Sequence, residues 1–388
     1  MGSSPRVAVI GAGMVGAAGA APRAGEADVT VLDASIPGGG ATAACMGHIV
    51  VMDDSDAQFA LSRRSRDLWD AMALDVTVER DRCGTLWVAE NDRELDAAKA
   101  KCDFYRRRGV DAEVLDPQAL RSAEPELRPG LVGALRVPGD SVVYPPAAVA
   151  QLIGDAAATC RRRGRRFELK THARVSSVGA VGDGAVVLLE GGGRLEVDAA
   201  VVAGGLHSLD LLDDPAPQLR IRPRKGHLVI TDRRPGFCRH QLVELGYLKS
   251  AHGDASTSVA FNLQPRRTGQ MLVGSSRQID VAGRDSEPEI VRQMLRRAAR
   301  FLPRLGGLRA IRVWTGLRPA TDDHLPYIGP VDDGGAVLLA AGHEGLGITT
   351  APGTAELVAH HLLGRSTELD PSSYSPHRVG AASPGSPA

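Results

Sequence analysis

Two short, largely apolar and β-branched runs stand near the N-terminus, Val7-Ala8-Val9-Ile10 and Val29-Thr30-Val31-Leu32, as in buried strands. A helix of small residues lies between them, and Pro22 predicts that it is short or kinked, because proline lacks the N–H and collides with the preceding turn. Helical patterning returns over residues 56–73, 92–109, 287–301 and 355–363, and Tyr144-Pro145-Pro146 opens another helix with proline in its first turn. β-signals fall at 83–88, 173–175, 185–189 and 199–203, the last reaching Gly204-Gly205 like a strand that returns to the first sheet. The alternating runs at 226–231, 258–262 and 271–275 have few helices among them and predict an antiparallel sheet in a second domain. A strand at 336–341 precedes the last helix, and the Gly/Ser/Pro/Ala-rich tail from Ser375 is expected to be disordered.

The connections carry the chemistry. Gly11-Ala12-Gly13-Met14-Val15-Gly16 follows the first strand, and Asp33 ends the second. In that order Gly11 makes the tight turn, Gly13 lets backbone approach a pyrophosphate, and Gly16 lets the helix lie close to the sheet. The helix start offers N–H groups to phosphates, and Asp33 can accept from ribose hydroxyls. A second glycine turn, Gly342-His343-Glu344-Gly345-Leu346-Gly347-Ile348-Thr349, leads into the last helix. Two such turns are more than a mononucleotide needs. They suit FAD, with pyrophosphate at the first and the N1/C2=O edge of the isoalloxazine at the second.

A chain of 388 residues suits two domains, and its 46 basic and 46 acidic residues give no overall field for nucleic acid. Cys45, Cys83, Cys102, Cys160 and Cys238 are scattered without a CxxC pair, which predicts no metal site and fits a reducing compartment. No signal peptide and no 18-residue apolar stretch is present, so a cytoplasmic location is expected, with peripheral membrane association left open.

The N-terminal fingerprint, Gly204-Gly205, Gly316-Leu317-Arg318-Pro319 and the 342–348 turn together resemble the FAD-dependent D-amino-acid oxidase superfamily, near glycine oxidase and the D-amino-acid dehydrogenases, over about residues 6–370. Within it, residues 41–54 and Phe261-Asn262-Leu263-Gln264-Pro265-Arg266 are most similar to the bacterial D-hydroxyproline dehydrogenases. The resemblance implies an α/β fold: a Rossmann-like FAD-binding domain (1–85, 145–215, 320–375) with an inserted α+β antiparallel-sheet substrate domain (86–144, 216–319), and a disordered tail over 376–388. It implies that Arg318 holds a substrate carboxylate with its planar fork; a structural arginine paired with Asp322 or Asp323 is the alternative. His48, Met46, Asn262 and Tyr247 are further pocket candidates, although His48 could equally satisfy local backbone.

Gly11, Gly13, Met14, Val15, Gly16, Asp33, Ala41, Thr42, Met46, Gly47, Val175 and Gly204 are then expected around FAD, joined by Gly342, Gly345, Leu346, Gly347, Ile348 and Thr349. Val175 would meet the adenine through its backbone. Glycine oxidases carry an arginine where this chain has Gly345, which turns the reading away from glycine. Cys45 reads as a small buried thiol, and the absence of cysteine after Cys238 implies non-covalent FAD. The implied activity is oxidation of a D-amino or cyclic imino acid, with oxygen, a quinone or a partner protein taking the electrons. A glycine- or sarcosine-type amine oxidase, a flavin subunit of an opine or glycine oxidoreductase complex, and a non-catalytic nucleotide-binding protein are the rival readings.

Overall fold

A computed structural model describes residues 4–21, 24–246 and 256–379. The chain opens with strand β1 (Arg6–Ile10), helix α1 (Met14–Ala20) and strand β2 (Asp28–Leu32). β1 and β2 pair in parallel, Val7 opposite Val29 and Ile10 opposite Leu32. α1 is indeed short; Pro22 itself lies outside the described residues. Next come α2 (Gly40–Ala44), the two-residue β3 (His48–Ile49) and α3 (Asp56–Ala71), whose first turn is capped by the Ser55 hydroxyl accepting from Gln58 N at 3.1 Å.

β4 (Thr85–Ala89), α4 (Asp92–Arg107), β5 (Glu113–Leu115), α5 (Pro117–Ala123), β6 (Gly133–Val137) and β7 (Ser141–Val142) follow. α6 (Pro145–Arg162) starts on proline as its sequence requires and delivers the chain to β8 (Phe167–Lys170). A meander of β9 (Val175–Val181), β10 (Gly184–Leu189) and β11 (Arg194–Val197) precedes β12 (Ala199–Val202). The predicted strand at 173–175 therefore begins only at Val175. β13 (Arg222–Thr231), β14 (Gln241–Glu244), β15 (Thr257–Pro265), β16 (Met271–Ile279), α7 (Pro288–Phe301) and β17 (Ala310–Ala320) come next. β18 (Tyr327–Pro330), β19 (Val337–Ala341) and α8 (Gly347–Leu363) close the fold.

These strands make two large sheets. One has the order β18-β19-β12-β1-β2-β8 and is parallel except at β18. Its two faces are covered by different partners. Val7, Val9, Val29 and Val31 meet α1, α6 and α8, while Ala8, Ile10 and Leu32 meet the β9–β11 meander. The alternation along each strand explains the split, since successive side chains point to opposite faces. The other sheet has the order β17-β13-β16-β15-β14-β4-β6-β5. α7 packs its apolar stripe on one face, with Phe301 stacked on Phe261 at 4.5 Å between centroids. α4 and Phe59 of α3 cover part of the opposite face.

Two expectations need correction. The last helix begins at Gly347 rather than 355 and carries Pro352 inside it. Proline there removes the donor that Ile348 O would receive, and the buried Trp69 indole replaces it, donating to Ile348 O at 3.0 Å and Thr349 O at 3.1 Å. The tail is ordered past Ser375: Arg378 pairs with Asp323 and donates to the Leu325, Pro326 and Tyr374 carbonyls, anchoring residues up to 379. Residues 380–388 lie outside the described ones.

Candidate active site

The first glycine turn needs glycine at two positions. Gly11 has φ +102°, and a Cβ there would lie 2.5 Å from Ala203 O; one on Gly16 would lie 1.8 Å from Gly11 O. Gly13 begins α1 with no side chain closing the helix end, apart from Thr42 Oγ1, which accepts from Met14 N at 3.1 Å. Asp33 accepts from Ala12 N at 2.7 Å and from Ser35 N at 2.8 Å, so it braces the turn as well as ending β2. A carboxylate has further acceptor sites for ribose hydroxyls. Ala41 lies exposed on α2, Val15 is half-buried, and Val175 starts β9 with its side chain in the core. Gly204 leads from β12 into a single turn of 3₁₀ helix.

The second turn leaves β19 at Gly342, where φ is +85° and a Cβ would fall 2.5 Å from Thr321 Cγ2. A 3₁₀ turn over Glu344–Leu346 then feeds α8, whose start has no side-chain cap and so leaves its amides open. Thr349 ties this helix to β3, donating to His48 O at 3.0 Å and accepting from Val50 N at 3.2 Å. Gly47 turns with φ +88°, its Cβ position 2.2 Å from Val143 O. The residues present fit FAD: two cradles that a Cβ would fill, an acid at the end of β2, and an open helix start at the second cradle.

A cavity lies between this turn and one face of the eight-stranded sheet. The loop and turn contribute His48, Val50, Met52, His343, Glu344, Gly345 and Leu346 to its lining. The sheet contributes Thr85 and Trp87 from β4, Gln241 and Val243 from β14, Asn262 from β15, and Arg277 and Arg224 from β16 and β13. Burial, then the charge of Arg266, pulls His48 down to about 4, so its imidazole is neutral. His48 Nε2 and Asn262 Oδ1 are buried and have no hydrogen-bond partner among the described residues. At the charged rim Glu344 accepts from Arg224 at 2.5 Å and contacts His324 Nδ1 at 3.1 Å. Burial pushes the Glu344 carboxyl up, but the His324 hydrogen bond and the Arg277 and Arg224 charges outweigh it and hold it at about 2.

Arg318 pairs with Arg224 in the β13–β17 register and lies beside the lining. Its guanidinium lies on Gly226, where a Cβ would stand 2.4 Å from both terminal nitrogens, and donates to Ser276 O at 3.2 Å. Its Cδ is 3.8 Å from the Cβ position of Gly345. Asp322 pairs with Arg222 and Asp323 with Arg378. Met46 packs with Leu228 and Leu272 and does not line the cavity. The half-buried Cys45 donates its thiol to Thr42 O at 3.1 Å, and desolvation pushes it up to about 12, so it stays protonated. Tyr247 lies outside the described residues. The sequence reading missed Trp87, Gln241, Arg224, Arg277 and His324. They stand on strands and a turn far apart in the chain, and only sheet register brings them to one wall.

Among the described residues no group of acidic, histidine or cysteine side chains could hold a metal ion, and no helix is long and apolar enough to cross a membrane. The chain is 26% identical to a glycine oxidase of Pseudomonas aeruginosa, over 96% of this chain and 99% of that one. It is 29% identical to a D-amino acid dehydrogenase of Xanthobacter autotrophicus, over 83% and 74% respectively. The crystal structure of glycine oxidase from Geobacillus kaustophilus superposes with a TM-score of 0.84 at 25% identity, covering 96% of this chain and 98% of that one. The model of the DAO family, FAD-dependent oxidoreductases, matches residues 6–361, and the chain belongs to that family.

Proposed function

We propose that the protein oxidises a D-configured amino or cyclic imino acid at its α-carbon, with D-hydroxyproline and D-proline as its best substrates. The observation that carries this reading is the cavity itself. It sets the unpartnered polar atoms of His48 and Asn262 against the turn that would hold the flavin edge. The relatives, glycine oxidases and D-amino acid dehydrogenases, support the same class of reaction. FAD, when bound, supplies the two-electron acceptor; the amides over Gly345–Thr349 would hold its N1/C2=O edge. The protein supplies position. Arg318 offers a fork to the carboxylate from the sheet face that borders the cavity, which fixes where the α-carbon lies. No strong base is required if the amine binds neutral, and a neutral His48 serves as a hydrogen-bonding group.

Anaerobic mixing of the yellow holoenzyme with a panel of amino acids tests this. cis-4-Hydroxy-D-proline and D-proline should bleach the flavin faster than glycine, sarcosine or any L-amino acid. Glycine or sarcosine in first place would overturn the substrate assignment.

A further inference from the structure

We propose that Trp87 and Gln241, with Asn262, form a neutral wall that reads a hydroxyl on the substrate side chain or ring. The three residues are side by side by register. Trp87 pairs with Val243, Val243 with Asn262, and Gln241 with Thr85, so all project from the same face of β4, β14 and β15. All three line the cavity and are almost fully buried, with exposures of 3%, 0% and 8%. Trp87 Nε1, Gln241 Oε1 and Asn262 Oδ1 have no partner among the described residues. Each such atom costs about 1–3 kcal/mol if left unmet. Together they offer one donor and two acceptors, the complement of a hydroxyl, which both donates and accepts.

The wall is built to hold its shape. Lys101 Nζ sits 4.9 Å from the Trp87 ring centroid and is itself paired with Asp53, and Gln241 Nε2 is anchored on Ser141 O at 3.2 Å. The wall also has the right place. The Arg318 guanidinium lies over β13 and bonds a carbonyl of β16. Asn262 on β15 is one strand from β16, and its partner Gly274 lies two residues from Ser276, so the backbone of Asn262 stands roughly 8 Å from the carbonyl that Arg318 bonds, a gap that side chains and a short amino acid can bridge. Asn262, Gln241 and Trp87 carry no charge, so an ionised side chain would be left unpaired against them.

This inference rests on the amino-acid reading above, and the experiment separates the two. The holoenzyme is assayed on pairs that differ by one hydroxyl: cis-4-hydroxy-D-proline against D-proline, and D-serine against D-alanine. In at least one pair the wild type should favour the hydroxylated member in kcat/KM by roughly tenfold or more, because a site built around a hydroxyl is left unpaired by the analogue lacking it. Trp87→Phe keeps the ring but deletes the donor, and should bring that ratio towards one. A wild type indifferent in both pairs overturns the wall without any variant having to fold. A Trp87→Phe enzyme that keeps the full ratio also overturns it. Failure of every amino acid to bleach the flavin would instead sink the proposed activity and this inference together.

Discussion

Arg318 was visible from its neighbours in sequence, but its setting was not. Its guanidinium lies flat on Gly226, a position where any side chain would displace it, and the acids four and five residues further on are committed to other arginines. Lysine at this position would keep the charge and lose the fork. Arg318→Lys should therefore retain the yellow cofactor and raise the KM for the best D-substrate roughly tenfold or more, the worth of one charge-assisted hydrogen bond. Near-normal flavin reduction at low substrate would show that the carboxylate is held elsewhere. Gly11, Gly47 and Gly342 were legible for a different reason: each has a positive φ and a backbone or side-chain neighbour where a Cβ would go. Trp87 and Gln241 were illegible because nothing local marks them; a tryptophan in one strand and a glutamine in another become neighbours only when β4 and β14 pair.

Among the elements, α8 shows where local rules mislead. Proline ordinarily marks a helix boundary, and the expected start at residue 355 lies beyond Pro352. The helix instead runs through it, because Trp69 supplies the N–H that proline lacks and Ser65 Oγ receives Gly353 N at 3.1 Å. That help comes from α3, so the sequence of α8 alone could not reveal it. Trp69→Phe should cost about 1–3 kcal/mol, the penalty for an orphaned buried carbonyl together with the lost indole packing. Adding Pro352→Ala should recover part of it, since alanine restores a donor to Ile348 O. Urea unfolding of the two holoenzymes measures this; a double variant no more stable than Trp69→Phe alone would refute the substitution of one donor for the other. The strands were more legible than this helix, since period-two alternation and buried β-branched runs survive without knowledge of their partners.

For the molecule as a whole, two buried histidines and one buried aspartate show how burial enters the response to acid. His343, fully enclosed, is pushed by burial to about 3, and His48, by burial and Arg266, to about 4. From their ordinary 6.5 downwards, the unfolded chain therefore takes up two protons that the native protein refuses. Stability falls with acidification by about 1.4 kcal/mol per pH unit for each histidine. Asp140 works in the opposite sense. Burial, only partly offset by Thr85 and Arg66, raises it to about 6, so below that pH the native state holds a proton the unfolded state has released until near 3.8. Between about pH 6 and 4 these three groups leave one uncompensated proton. His343→Gln should make the stability of the holoenzyme less steep in that window by about 1.4 kcal/mol per pH unit. An unchanged slope would mean that His343 is not held neutral.

The hydroxyl of Thr349 was described above as a bond between α8 and the strand that carries His48. Its consequence is thermodynamic reciprocity. The helix start that would hold the flavin and the loop that would face the substrate share one rung, so tightening either one by occupancy would tighten the other, and by linkage the effect is equal in both directions. Substrate would then retain cofactor as strongly as cofactor retains substrate, and a starved enzyme would be the one most ready to lose its colour.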